Sequence, residues 1–390
     1  MSEEREHALL SASGAKRWMT CTPSAQIEET FPESKSEYAD EGSFAHKYAE
    51  LQLKKELGFI NKKEFKKQAD ILMKDPFYST ALEEYIQSYV TIVMERVAEA
   101  KTRCKDPIIM LEQKLDFSQW VPEGFGTGDV IIIADGVLEV IDLKYGKGVA
   151  VSAEDNPQLR LYGVGALSQY DNLYDIETVR TTIIQPRLDS VSSDSISAKD
   201  LYVWAENEVK PKAEQAMAGE GEFVSGDHCR FCRAKAQCRK RADANLELAR
   251  YDFKEPSLLT DEEIADVLTK VDQLQSWVSD VKAFALDQAE NHGKKWTGWK
   301  LVEGRSNRMY SDRTAVAETL LIAGYEDEKI YEPKEIRGIT AMEKVLGKKT
   351  FEDLLNEFII KPVGKPTLVP ESDKRPEINS IQSAVADFAE

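Results

Sequence analysis

One stretch, residues 126–162 (GTGDVIIIADGVLEVIDLKYGKGVAVSAEDNPQLRLY), constrains the fold more than any other. Two apolar runs flank Asp135-Gly136. That dipeptide suits a two-residue hairpin turn, because both central positions of a type I′ turn need φ > 0. With the turn there, Ala134 pairs with Val137, and counting outward sets Asp129 opposite Asp142 on one face of the sheet. Lys144 lies two residues further along and shares that face. Strands as apolar as VIIIA and VLEVI belong in a core. Two opposed carboxylates there repel each other and call for a compensating cation, most simply a divalent metal ion.

The rest of the chain bounds this reading. With 390 residues it has room for two domains. No apolar run reaches transmembrane length, and the start, MSEEREHALL, is polar and acidic, so we expect no membrane association and a cytoplasmic location. A net charge of -18 argues against general nucleic-acid binding. A protein of this charge that acts on DNA needs a local basic patch. Five cysteines, an odd number, point to metal ligands or buried thiols rather than a disulfide framework.

In chain order, residues 38–57 have helical periodicity ending at Gly58, with His46 and Glu50 one turn apart. Lys-rich residues 61–68 read as a solvated face, and a long helix is expected from Pro76 to Arg103 with Tyr85, Tyr89, Ile92, Val93 and Val97 as its stripe. A strand at 108–115 precedes the hairpin. Asn156-Pro157 then starts a helix as N-cap and first residue, projecting Gln158 and Tyr162 from one face. A strand over 178–186 and a helix over 198–218 follow. This order predicts an α/β fold with a mixed central sheet flanked by helices.

At 226–241, GDHCRFCRAKAQCRKR, Cys229, Cys232 and Cys238 are spaced C-x2-C-x5-C and interleaved with Arg230, Arg233, Lys235, Arg239, Lys240 and Arg241. Here is a candidate basic patch. Three thiolates want a fourth ligand, which Cys21, His228 or Cys104 can supply. Zinc and an iron–sulfur cluster both fit the spacing. Further on, helices are expected over 260–291, capped by Thr260, and near 313–323, 340–346 and 350–358. A β-hairpin or strand is expected in WTGWKLVEGRSNRMY, and a Pro-rich extended tail from Lys361.

Asp129 and Asp142 offer hard oxygen ligands suited to Mg2+ or Mn2+, and Lys144 is placed to hold a water or a phosphate oxygen. Gln158 and Tyr162 complete a set suited to phosphodiester hydrolysis. The set His46, Gly126-x-x-Asp129, Asp142-x-Lys144 and Gln158-x-x-x-Tyr162 resembles the RecB-type branch of the PD-(D/E)XK nucleases. One cysteine before that set and three after it resemble the branch's iron–sulfur exonucleases, such as the AddB nuclease domain and the CRISPR-associated exonucleases. The resemblance spans roughly residues 8–245. In detail the chain, including WKLVEGRSNR and KPTLVPESDKRP, looks most like an uncharacterised group of phage and prophage proteins.

The resemblance implies a restriction-endonuclease-like core, with His46, Asp129, Asp142 and the Leu143 carbonyl as metal ligands. It makes Lys144 the catalytic lysine, with Gln158 and Tyr162 beside the scissile phosphate. It assigns Cys21, Cys229, Cys232 and Cys238 to a [4Fe-4S] cluster, with structural zinc as the alternative. Two departures are Gly128, where many members have proline, and Asp142, where many have Glu. The expected organisation is a nuclease domain over 1–250, a mostly helical accessory domain over 251–360 and a tail over 361–390. The expected activity is a metal-dependent exonuclease on linear DNA ends in phage recombination or replication, partnered by DNA and by a single-strand-binding or recombination protein. The alternative, motivated by the acidic charge and the long C-terminal region, is a non-catalytic DNA-binding or partner-recruiting scaffold.

Overall fold

The computed structural model describes residues 8–32, 37–247, 259–302 and 312–323, and beyond these positions 326, 339, 342, 346–355, 358 and 359. Its centre is one five-stranded sheet in the order β1 (Ile108–Asp116), β2 (Phe125–Ala134), β3 (Val137–Leu143), β4 (Thr178–Gln185), β5 (Ser190–Ser197). β3 and β4 run parallel and the other neighbours antiparallel, so the sheet is mixed as expected. The hairpin has the expected register: Ala134 faces Val137 across Asp135 and Gly136, both at positive φ.

Alternation along the hairpin divides the core in two. Ile131, Ile133, Leu138 and Val140 pack against α6 (Pro157–Tyr170) and the N-terminal helices α1 (Ala15–Thr20) and α2 (Ser24–Glu29). Val130, Ile132, Ile141 and Leu143 face α3 (Glu37–Glu56) and α5 (Thr80–Arg103). Because α6 makes the crossover between parallel strands, its N-terminus returns beside the end of β3. Asn156 caps it, accepting from the amides of Gln158 and Leu159, with Pro157 in the first turn.

Regular pairing fails at one level of the sheet. β2 and β3 pair from Ala134–Val137 out to Val130–Ile141 and stop at Asp129. β1 and β2 pair on either side of Glu112 and Asp129 but not at those residues, and Glu112 has φ +49°. A non-glycine residue in the left-handed region within a strand is uncommon and costs energy, and such positions gather at functional sites.

The structure departs from the expected elements in several places. Lys62–Leu72 is a helix, α4, capped by the Asn61 side chain. Its polar composition hides it from an apolar-periodicity test. α5 starts at Thr80, after the Ser79 cap, and buries Leu82, Ile86, Tyr89, Val93 and Val97, while Tyr85 is exposed. β5, SVSSDSIS, lies between the predicted strand over 178–186 and the predicted helix over 198–218, in a stretch with no predicted element. It is an edge strand whose serines need only backbone pairing to β4. The helical stretch 198–218 comprises α7 (Ala198–Trp204), a π-helical turn (Ala205–Val209) and α8 (Lys210–Ala218).

α9 (Arg239–Leu246) packs on α10 (Asp261–Glu290), which begins with the expected Thr260 capping box. α11 (Arg313–Ile322) and α12 (Lys348–Leu355) follow. The described part of the expected strand region, through Val302, contains no strand. Residues 303–311, most of 340–346 and all of 361–390 lie outside the described residues.

Candidate active site

Four elements meet at the interruption in the sheet. β2 brings Asp129, the end of β3 brings Asp142 and Lys144, α3 brings His46 and α6 brings Gln158 and Tyr162. His46 Nδ1 lies 3.1 Å from Asp129 Oδ1. The Leu143 amide donates to Asp129 Oδ2 at 2.6 Å. Lys144 Nζ donates to Gln158 Oε1 at 2.9 Å and to Asp142 Oδ1 at 3.3 Å. Gln158 Nε2 in turn reaches Asp142 Oδ1 at 3.4 Å and the Tyr162 hydroxyl at 3.2 Å.

The site thus falls into two neighbouring groups. Ligating atoms of His46, Glu112 and Asp129 lie within 4.8 Å of one another, while Asp142 sits with Lys144 and Gln158. Glu112 was not singled out from the sequence. Its signal was present: a carboxylate inside the apolar run IIMLEQKL, at the level of Asp129 once β1 is laid beside β2.

Electrostatics favour a cation here. Asp142 is 4% exposed, and burial, partly countered by Lys144, raises its carboxyl pKa above the ordinary value. Its Oδ2 is buried without a hydrogen-bond donor. Lys144 Nζ lies 3.0 Å from that oxygen, a favourable charge contact that lacks hydrogen-bond alignment. Burial also raises Glu112 to about 7, reinforced by Asp129 and Glu50. Burial alone would lower His46, but Asp129, Asp142 and Glu112 outweigh it and bring the imidazole to about 9. An orphaned buried carboxylate oxygen beside a His–Glu–Asp cluster fits a hard divalent cation, which would take the place of the protons this site otherwise holds.

Gly126 explains the first part of its motif. A Cβ there would fall 2.5 Å from Tyr162 Cε1, so the ring occupies the space a side chain would need. Tyr162 is 7% exposed and its hydroxyl points to Gln158. Burial, with Asp142 next, raises that hydroxyl's pKa well above the ordinary value.

A second feature lies near the N-terminal helices. Cys21, Cys229, Cys232 and Cys238 line one cavity of about 20 Å³. Cys104 caps α5 and packs against the other core. His228 also lines the cavity, but its Nε2 is 2.9 Å from the Val224 carbonyl, which a ring N–H satisfies. Burial, with Glu28 next, pushes the Cys232 thiol up to about 12. Buried Glu28 fixes this corner: its Oε2 accepts from Arg17 Nε at 2.6 Å and its Oε1 from the Arg233 amide at 2.8 Å.

Three of the six basic residues interleaved with the cysteines are engaged in ion pairs. Arg233 pairs with Glu29, and Lys235 and Arg241 both pair with Asp280 of α10. Arg241 is 5% exposed. Half of the expected patch is therefore internal bracing.

A family model described as "Protein of unknown function (DUF2800)" matches residues 7–376. The chain belongs to that family. A solved structure titled "Crystal structure of SSO0001" matches at 15% identity over 51% of this chain and 96% of that one, with a TM-score of 0.23. A likeness this weak carries no argument about the present chain. Among the described residues of this DUF2800 member, no helix is long and apolar enough to cross a membrane.

Proposed function

We propose that this chain is a metal-dependent deoxyribonuclease of the RecB-type PD-(D/E)XK kind, hydrolysing phosphodiester bonds at linear DNA ends. One observation carries the reading: buried Asp142, one oxygen of which accepts no hydrogen bond, contacts Lys144 and is close enough to the His46–Asp129–Glu112 cluster for its charge to act on His46. His46, Asp129 and Asp142 would hold Mg2+ or Mn2+, which supplies charge neutralisation at the phosphate and an acidified water. Lys144, oriented by Gln158, would donate to a phosphate oxygen or to the attacking water, and Tyr162 buttresses Gln158 from behind.

The four cysteines would hold a [4Fe-4S] cluster. They line one cavity, so their thiolates can converge on one group, and the resemblance to the iron–sulfur exonucleases favours the cluster over tetrahedral zinc. The anaerobically purified protein is expected to contain iron and sulfide and to absorb broadly near ~400 nm. Stoichiometric zinc with no iron rejects the cluster.

Asp142→Ala and Lys144→Ala are each expected to lower Mg2+- or Mn2+-dependent digestion of end-labelled linear DNA by at least ~10²-fold while leaving the circular dichroism spectrum unchanged. Digestion at the wild-type rate by either variant refutes the mechanism. DNA binding with no cleavage by the wild type under any divalent ion favours the non-catalytic scaffold.

A further inference from the structure

A nuclease must guide a polyanion to its metal, and the cysteine segment has few cations to spare for this. Elsewhere the chain is unexpectedly basic: from His46 to Asp70 there are seven lysines against four acids, in a protein of net charge -18. This segment is α3, α4 and the turn between them. Between the two helices runs a groove of about 240 Å³, lined by Lys47, Glu50 and Lys54 of α3 and by Gln68, Ile71 and Leu72 of α4. Ile71 is 61% exposed at its edge. The groove is smaller than the ~300–1,000 Å³ cavities that enclose whole small molecules, and it suits one unit of an extended chain.

The groove and the metal cluster share α3, with Glu50 lining the groove one helical turn from His46 on the same face. Lys47 adjoins His46. The charges of Glu50 and Lys54 are both felt at Glu112. Lys67 lies one turn before Ile71 and therefore at the rim, with Lys63 and Lys66 beside it. Lys54 is paired with Glu50 and Lys55 with Glu56, whereas among the described residues Lys47, Lys66 and Lys67 have no ion-pair partner.

We propose that the α3–α4 groove is the track for single-stranded DNA leading to the His46–Asp129 site, with lysines on the phosphates and Ile71 and Leu72 against a base. The proposal rests on the nuclease reading and adds the path of the substrate. It also moves the basic contact surface from the cysteine segment to α3 and α4. Such contacts release counterions and make binding steeply salt-dependent, with little sequence preference.

The test measures binding of a fluorescent single-stranded oligonucleotide to the full chain carrying Asp142→Ala, by anisotropy over a series of salt concentrations. Wild-type cleavage of linear DNA is assayed alongside. Combining Lys47→Gln, Lys66→Gln and Lys67→Gln is expected to raise Kd at least ~10-fold and to reduce the log–log salt slope by about 2, since each single-strand phosphate contact contributes about 0.7. Combining Arg230→Gln, Arg239→Gln and Lys240→Gln is expected to change Kd less than ~2-fold. Arginine at positions 47, 66 and 67 is expected to restore binding, which separates lost charge from a disturbed helix. If wild type cuts DNA but the α3–α4 variant binds unchanged, or the cysteine-segment variant loses as much, the track is wrong and the nuclease reading stands. If wild type neither binds nor cuts, both fall.

Discussion

Gly126 shows how closely this site depends on single atoms. Its hydrogen faces the Tyr162 ring where a methyl group would lie 2.5 Å from Cε1. That ring supports Gln158, and Gln158 orients Lys144. Gly126→Ala is therefore expected to push Tyr162 aside, loosen the Gln158–Lys144 bond and lower cleavage about 10-fold or more with the fold retained. Tyr162→Phe, which removes only the hydroxyl, is expected to cost less. Single-turnover cleavage of labelled DNA by the two variants checks the order, and equal losses would place the effect in the hydroxyl. Most of the site was legible at this scale because strand alternation fixes which side chains share a face: a turn at Asp135-Gly136 sets Asp129 and Asp142 without further information. Glu112 left one trace, a carboxylate inside an apolar run, but its backbone conformation left none. Its participation depends on a left-handed backbone at φ +49° that interrupts pairing, and no propensity marks such a position for glutamate.

At the scale of elements, the opposite face of the sheet relies on a buried carboxylate. Glu139 of β3 is 2% exposed and accepts from Thr182 Oγ1 at 2.8 Å. Arg180 of β4 and Arg96 of α5 lie 3.7 and 3.8 Å from its oxygens. Arg180 also donates to Glu99 at 3.1 Å, and that bond, together with Arg96, holds the Glu99 carboxyl below its ordinary pKa. Arg180→Ala leaves Glu139 with much of its charge uncompensated and is expected to destabilise the chain by about 3 kcal/mol in urea unfolding. The pH dependence has a definite sign. A folded-state pKa below the unfolded value gives stability that is present above the unfolded pKa and lost as pH falls through the folded one. Wild type should lose part of its stability on acidification below about pH 4.5, and Arg180→Ala should lose less over that range. An identical acid dependence in the two proteins would remove Glu99 from the account. The strands of this region were legible from apolar runs and turns. β5 and α4 were not, because a serine-rich edge strand and a lysine-rich surface helix get their order from backbone pairing and capping, which leave little trace in hydropathy.

At the scale of the molecule, the cysteine cavity joins the two ends of the described core, since Cys21 follows α1 and the other three lie beyond α8. The contacts around it are already long-range: Thr22 Oγ1 donates to the Glu220 carbonyl at 2.6 Å, and Gln26 Nε2 to that of Met217 at 2.7 Å. Its outer side is held by α10 through Asp280. A cluster bound by the four thiolates would close a chain loop of more than two hundred residues, and would convert Cys232 from a thiol held at about 12 into a thiolate, as a bound metal does. Loop closure of this length restricts the unfolded ensemble in the way a disulfide does, by roughly 2–4 kcal/mol. In a protein of this size that corresponds to a Tm shift of roughly 2–5 °C. Cys232→Ser is therefore expected to lower the Tm of anaerobically purified protein by that amount, with loss of iron. The same substitution should leave the Tm of chelator-stripped protein nearly unchanged, because the cross-link it abolishes is already gone. Calorimetry on the four samples checks this. An equal drop in stripped and unstripped protein would mean that Cys232 contributes by packing alone, and the cavity would then be a feature of the apolar core rather than the seat of a cluster.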